Sequence, residues 1–200
     1  MRYKNIVFDM GGVLLDFSEA RHIEHFFGGL KPEEQAQVRW ALMGSGLWRR
    51  YDRGDFDDDG MVREVCALLP PHLHPYIADM VPHNFEAMPP LPTGELIPQL
   101  KARGQGVYLL SNTPHAFHRE KLRIPHIDRF DGILASCDVG LLKPDPEIFR
   151  LFLRTFGLRA EDCLFIDDMQ ANIEGAAEAG IAGHCFADGD LERLRAALEL

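Results

Sequence analysis

Two hydrophobic rhythms divide this chain. From residue 93 onward, short apolar runs alternate with stretches whose apolar positions recur at helical spacing. That alternation is what βαβ units of a parallel sheet impose. It predicts strands over 107–110, 133–135, 163–166 and 182–186, with 5–8 joining them from the N-terminal side. Helices are predicted over 93–103, within 115–122, over 146–156, over 171–179 and over 190–198. Gly104, Gly157 and Gly180 stand where three of these helices must stop. Between Asp16 and Leu91 the strand rhythm disappears, and helical spacing takes over in 19–27, 32–43, 58–68 and 75–81. Met88-Pro89-Pro90-Leu91-Pro92 then reads as a linker back to the sheet. The economical arrangement is an α/β core formed by residues 1–15 and 93–200. A small helical domain, 16–92, is inserted after the first strand and lies over the sheet's carboxyl edge.

The polar residues that end the strands change this from a fold to a candidate site. Asn5-Ile6-Val7-Phe8 runs into Asp9, Val107 to Leu110 into Ser111-Asn112, and Cys163 to Ile166 into Asp167-Asp168. Lys143-Pro144 lies between the last two. In an open α/β sheet, ligands bind outside the carboxyl ends of the strands, so residues distant in sequence can share one crevice there. Their chemistry is coherent: carboxylates for nucleophilic attack and metal binding, a hydroxyl and amides for an anion, and a lysine for its charge. This combination suits phosphoryl transfer. Gly11 and Gly12 follow Asp9 and leave room for a ligand to approach its backbone.

Charge narrows the partners. A formal net charge of −10 over 200 residues argues against a nucleic-acid backbone. It leaves a small phosphorylated metabolite open, because the local charge of a cleft decides that. No apolar stretch reaches membrane-spanning length, and the N-terminus runs straight into a strand, so a cytoplasmic protein is expected. Cys66, Cys137, Cys163 and Cys185 lack any Cys-x-x-Cys spacing and are expected as reduced, inert residues. Asp55-Phe56-Asp57-Asp58-Asp59-Gly60 opens like a calcium loop, but its twelfth position is Cys66 where a bidentate glutamate is required. His115 and His118 follow Ser111-Asn112 closely enough to border the same site.

Four segments in order now carry a resemblance: Phe8-Asp9-Met10-Gly11-Gly12-Val13, Leu110-Ser111-Asn112-Thr113, Leu142-Lys143-Pro144-Asp145-Pro146 and Phe165-Ile166-Asp167-Asp168. Together they resemble the motifs of the haloacid dehalogenase-like (HAD) hydrolase superfamily. The resemblance implies a three-layer, Rossmann-like parallel sheet with a helical cap at the first insertion point. It implies Asp9 as the nucleophile that forms an aspartyl-phosphate, and Ser111, Asn112 and Lys143 as holders of the phosphoryl group. Asp9, the Gly11 carbonyl and Asp168 would bind Mg2+, with Asp167 in support. Within the insertion, Leu47-Trp48 followed by Arg53-Gly54 resembles the glucose 1-phosphate phosphatase group, making Arg53 a candidate substrate contact from the cap.

One position departs from the usual pattern. Phosphatases of this superfamily usually carry a second aspartate where this chain has Gly11, and losing such an acid/base group costs roughly 10²–10⁴ in rate. The glucose 1-phosphate phosphatase group also has glycine there. An anomeric alkoxide leaves more readily than a simple alkyl one, so a hexose 1-phosphate substrate would depend less on protonation. The alternatives are a non-catalytic or weakly active phosphometabolite-binding protein on the same fold, a haloacid dehalogenase and a phosphosugar mutase. Dehalogenases lack the paired acids that Asp167-Asp168 supplies, and a mutase leans harder on the missing group.

Overall fold

The computed structural model describes residues 2–200. Five parallel strands form one sheet: β1 (Asn5–Phe8), β2 (Gly106–Ser111), β3 (Gly132–Ala135), β4 (Cys163–Asp167) and β5 (Ala182–Cys185), in the order β3-β2-β1-β4-β5. The chain winds outward from β1 to β3 and then returns to place β4 on the other side of β1. That reversal opens a crevice beyond the carboxyl ends of β1 and β4. Phe8 pairs with both Leu109 and Ile166, so the residues following these three strands emerge at nearly one level.

Strand alternation sends side chains to both faces. Ile6, Phe8, Val107, Leu109, Leu164 and Ile166 pack on one side, with Leu96, Ile97 and Leu100 of one helix and Leu194 of another. Val7, Leu110, Cys163 and Phe165 pack on the other against Ile148, Phe149, Phe152 and Ala176. The result is three layers in which the central strands β1, β2 and β4 are largely buried, while the edge strand β5 is not. The inserted segment builds α1 (Glu19–Phe27), α2 (Pro32–Arg39), α3 (Leu47–Asp52), α4 (Asp58–Cys66) and α5 (His74–His83). It has a separate core of Phe27, Val38, Leu42, Tyr51, Met61, Val65, Ile77 and Val81. Where the chain leaves and rejoins the sheet layer, its two arms run side by side: the Asp16 amide donates to the Pro89 carbonyl (2.8 Å) and the Leu91 amide to that of Leu14 (2.9 Å).

The remaining helices are α6 (Leu96–Ala102), α7 (Phe117–Glu120), α8 (Ser136–Val139), α9 (Pro146–Phe156), α10 (Gln170–Glu178) and α11 (Leu191–Ala197). The expected helix over 93–103 is split, with a 3-10 turn over Pro92–Glu95 before α6. The helix expected over 32–43 ends at Arg39 and continues as a single π turn, Trp40–Gly44. Gly46, at φ 81°, breaks the run, and the Ser45 hydroxyl accepts the Leu47 amide at 3.1 Å to start α3, which the sequence pattern does not announce. No helix among the described residues is long and apolar enough to cross a membrane.

Candidate active site

A pocket of about 230 Å³ lies at the sheet's carboxyl edge, and its lining includes Asp9, Gly11, Ser111, Asn112, Lys143 and Asp168. Asp9, placed by β1, is buried, with Lys143 Nζ 2.7 Å from its Oδ1. The same Nζ lies 2.7 Å from Asp167 Oδ2 and 5.2 Å from the centre of the Phe165 ring. Burial alone would depress the Lys143 pKa, but Asp9 and Asp167 outweigh it and hold the lysine above its ordinary value, so it stays charged. Asp9 is pushed up to about 7, first by burial and then by the charge of Asp167, with Lys143 opposing both.

The paired aspartates divide their work. Asp167 is fully buried and saturated: it accepts from Lys143 Nζ, from Asn172 Nδ2 at 2.9 and 3.0 Å, and from the Met169 amide at 2.8 Å. It therefore holds Lys143 rather than offering free lone pairs. Asp168 forms no ion pair among the described residues and faces the pocket, its pKa raised by burial and then by Asp167. Its close approach to the Asp9 loop depends on Gly12, at φ 71°, where a Cβ would lie 2.5 Å from the Asp168 Cγ. Asp9, Asp167 and Asp168 each offer an oxygen within 4.8 Å of the others.

Ser111 is buried and its hydroxyl makes only a long contact, 3.5 Å, to the Asn112 carbonyl, so it is available to a ligand. The Asn112 side chain is occupied: Nδ2 donates to the Lys143 carbonyl (3.0 Å) and Oδ1 accepts the Lys143 amide (2.9 Å). The sequence did not reveal that pairing. Gly11 lines the pocket, and a Cβ there would meet Phe17 Cβ at 3.4 Å, an ordinary contact.

The structure does not bring Arg53 to the pocket. Its guanidinium is exposed and held by Asp55 at 2.6 Å, while Asp52, the preceding residue and the last of α3, lines the pocket instead. One residue turns a helical side chain by about 100°, enough to exchange an inward position for an outward one. Asp52 is pushed up to about 8, by burial and then by the charge of Asp9, with Lys143 opposing. The other inserted-segment residues of the wall are mainly apolar: Phe17, Met43, Trp48, Phe85 and Met88, with Asn84. His115 and His118 lie outside it, with His118 Nε2 2.8 Å from Asp138 Oδ1.

The loop after α3 is pinned to the sheet layer. Ser136 Oγ donates to the Asp52 carbonyl (2.5 Å) and accepts the Thr113 amide (2.8 Å). Gly54 sits at φ 83° so close to α8 that a Cβ would lie 2.5 Å from the Cys137 carbonyl oxygen. Gly54→Ala is therefore expected to lower stability by roughly 1–2 kcal/mol from the left-handed backbone, with the clash adding to it. Urea denaturation measures this. A stability equal to that of the native protein would mean that the contact is not held in solution.

Comparison with known proteins agrees with this geometry. The haloacid dehalogenase-like hydrolase family matches residues 3–180, and the chain belongs to that family. A sesquiterpene phosphatase, astK, of Aspergillus oryzae is 25% identical over 182 residues, covering 90% of this chain and 88% of its own. The fructose-1-phosphate phosphatase YqaB of Escherichia coli is 25% identical, covering 90% of this chain and 94% of its own. Against acyl-CoA dehydrogenase family member 10 of Mus musculus the identity is 27%, but this chain spans only 17% of that longer protein. Among solved structures, the HAD family enzyme bt-2542 of Bacteroides thetaiotaomicron superposes with a TM-score of 0.73 at 27% identity, covering 97% of this chain and 98% of its own. Its magnesium complex superposes at 0.69 with 25% identity, covering 92% and 93%.

Proposed function

We propose that this hydrolase is a magnesium-dependent phosphatase of small phosphomonoesters, acting through an aspartyl-phosphate on Asp9. The observation that carries the reading is Asp9 itself: a buried carboxylate with Lys143 beside it, Asp168 close by and an uncommitted Ser111 hydroxyl in the same pocket. A carboxylate oxygen of Asp9 attacks phosphorus in line, and the ester bond to the alcohol breaks. Ser111, the Asn112 amide and Lys143 hold the phosphoryl oxygens and balance the charge that develops there. Water then attacks phosphorus, the bond to Asp9 breaks, and phosphate leaves.

The residues fit magnesium. Asp9 is buried with Lys143 as its ion-pair partner and Asp168 has none among the described residues, so with the Gly11 carbonyl they make a hard, oxygen-rich donor set. The ion would neutralise charge on phosphate and nucleophile. Residues 16–92 act as a cap that chooses the substrate over the phosphate site of residues 1–15 and 93–200. The Gly11 position and the likeness to a fructose-1-phosphate phosphatase support a sugar phosphate, such as a hexose 1-phosphate. The apolar wall favours a second reading, a phosphomonoester with a hydrophobic body.

Turnover of an aryl phosphate with and without magnesium tests the proposal, followed by a screen over sugar phosphates and apolar alkyl phosphates. Activity only on a haloacid in metal-free buffer would overturn it. Titration gives a further expectation. Asp9, Asp52 and Asp168 all have pKa values above those of the unfolded chain, so the native state binds more protons between about pH 4 and pH 8. Their stabilising effect is greatest at the acid end and is lost as pH rises. The metal-free protein is expected to melt at progressively lower temperature across that window. Magnesium should raise the melting temperature more at the alkaline end, where Asp9 and Asp168 are ionised. A magnesium shift independent of pH would contradict this ligand set.

A further inference from the structure

We propose that Asp52 is the general acid and base of this site, serving from the cap the role that Gly11 leaves unfilled. The inference rests on the phosphatase reading above and adds a residue to it. Two structural facts carry it. Asp52 is the only ionisable residue that the inserted segment contributes to the pocket wall, and it lies in the same pocket as Asp9, Lys143 and Ser111. Its carboxyl also has no hydrogen-bond or ion-pair partner among the described residues, although three arginines, Arg49, Arg50 and Arg53, surround it in sequence. Arg50 and Arg53 both turn to Asp55 instead. A carboxyl left unpaired against an apolar wall is costly as an anion and tolerable as a neutral acid. An ordinary structural aspartate would have taken one of those arginines.

The backbone beneath Asp52 is fixed. Its carbonyl accepts from Ser136, the most deeply buried serine of the sheet edge, and Gly54 allows the loop to press onto α8 two residues later. The side chain is thus placed by a rigid part of the cap–core junction, as a proton-transfer group must be. Its raised pKa, about 8 and caused first by burial, agrees with a protonated resting form at neutral pH.

The chemistry balances. As Asp9 attacks and the bond from phosphorus to the ester oxygen breaks, the Asp52 carboxyl proton passes to that oxygen and the alcohol leaves neutral. In the second half, the Asp52 carboxylate takes a proton from the attacking water. Phosphate is released, Asp9 is regenerated as a carboxylate, and Asp52 is again an acid. The sum is ester plus water giving alcohol plus phosphate.

The test measures phosphoenzyme formation in single turnover on two substrates: a dinitrophenyl phosphate, whose leaving group needs no proton, and a simple alkyl phosphate, whose leaving group does. The native protein and Asp52→Asn are compared, with Asp52→Glu as the conservative variant and melting temperature as the check on folding. Asp52→Asn is expected to slow the alkyl phosphate by roughly 10²–10⁴ while changing the dinitrophenyl phosphate by no more than about threefold. It should also accumulate phosphoenzyme on the activated substrate, because the second step has lost its base. Asp52→Glu should recover part of the alkyl rate. An equal loss on both substrates, or no loss on either, overturns the proposal, and where Asp52→Asn fails to fold, Asp52→Ser is read by the same comparison. A native protein inactive on every phosphate ester would refute the phosphatase reading itself, and this assignment with it. An active native protein with an indifferent Asp52 refutes only the assignment.

Discussion

Asp9→Asn is expected to lower turnover of every phosphomonoester substrate by roughly 10⁴-fold or more, with the fold intact. The amide preserves the shape of the side chain but is a far weaker nucleophile, so no aspartyl-phosphate should accumulate. Lys143 keeps its second partner, Asp167, at 2.7 Å, so the variant leaves no unpaired buried cation. Burial already disfavours the Asp9 carboxylate, and a neutral amide removes that cost. Asp9→Asn is thus expected to melt no lower than the native metal-free protein at neutral pH. Steady-state assays, acid-quench trapping of the phosphoenzyme and thermal denaturation examine the three statements separately. Residual activity of a few per cent in a preparation free of other phosphatases would remove Asp9 from its role.

The largest stability effect is expected from Lys143→Met. The methionine fills much of the space of the lysine stem, so the loss is one of charge more than of packing. It leaves Asp9 and Asp167 facing each other without the ammonium that both of them contact. Removing one partner of a buried ionic group typically costs 3–5 kcal/mol, and about that loss is expected near neutral pH. The sign with pH follows from Asp9. Without the lysine, which opposes the rise of Asp9, the Asp9 pKa climbs further, the folded variant binds more protons than its unfolded chain, and its stability falls as pH increases. The deficit relative to the native protein should be small near about pH 4 and largest above about pH 7. Urea denaturation at both ends measures it. An equal deficit at the two extremes would assign the effect to packing.

Legibility in the sequence followed the strength of local constraints. Asp9, Ser111 and Asp168 were readable because each follows an apolar strand, and strand ends of a parallel sheet converge whatever the loops do. Lys143 was readable only in company: alone it is an ordinary lysine, and its position in the order of the motifs gave it meaning. The capping α1 and the amphipathic α9 appear where apolar spacing puts them, Glu19–Phe27 and Pro146–Phe156. What could not be read was how the inserted segment docks. Asp52 sits in Trp48-Arg49-Arg50-Tyr51-Asp52-Arg53-Gly54-Asp55, where five of the eight residues are charged and no periodicity singles out one of them. Its inward position follows from the π turn before α3, from Tyr51 buried in the cap core and from Gly54 against Cys137. Each of these is a tertiary fact. Arg53 was the sequence candidate through the resemblance of Leu47-Trp48 and Arg53-Gly54 to the glucose 1-phosphate phosphatase group, and in the structure its guanidinium turns to Asp55 while Asp52 lines the pocket. The pairing of Asn112 with the Lys143 backbone was hidden for the same reason: nothing local links residues 31 positions apart.

That pairing reaches beyond the positions of two side chains. Ser111 ends β2 and Lys143 lies in the connection between α8 and α9, yet the Asn112 amide group ties the two into one plate through both its oxygen and its nitrogen. The groups proposed to bind the phosphoryl group are therefore gathered when the chain folds, before any ligand arrives. A phosphoryl group meeting such a plate triggers little reorganisation, and the dipoles that must answer its changing charge are already oriented. The cap wall, attached through the loop pinned at Ser136 and the paired arms at Asp16 and Pro89, lies outside that plate. On the proposed reading, wall residues such as Met43, Trp48 and Met88 can consequently be exchanged, and the alcohol accepted altered, without disturbing the groups proposed to hold the phosphate.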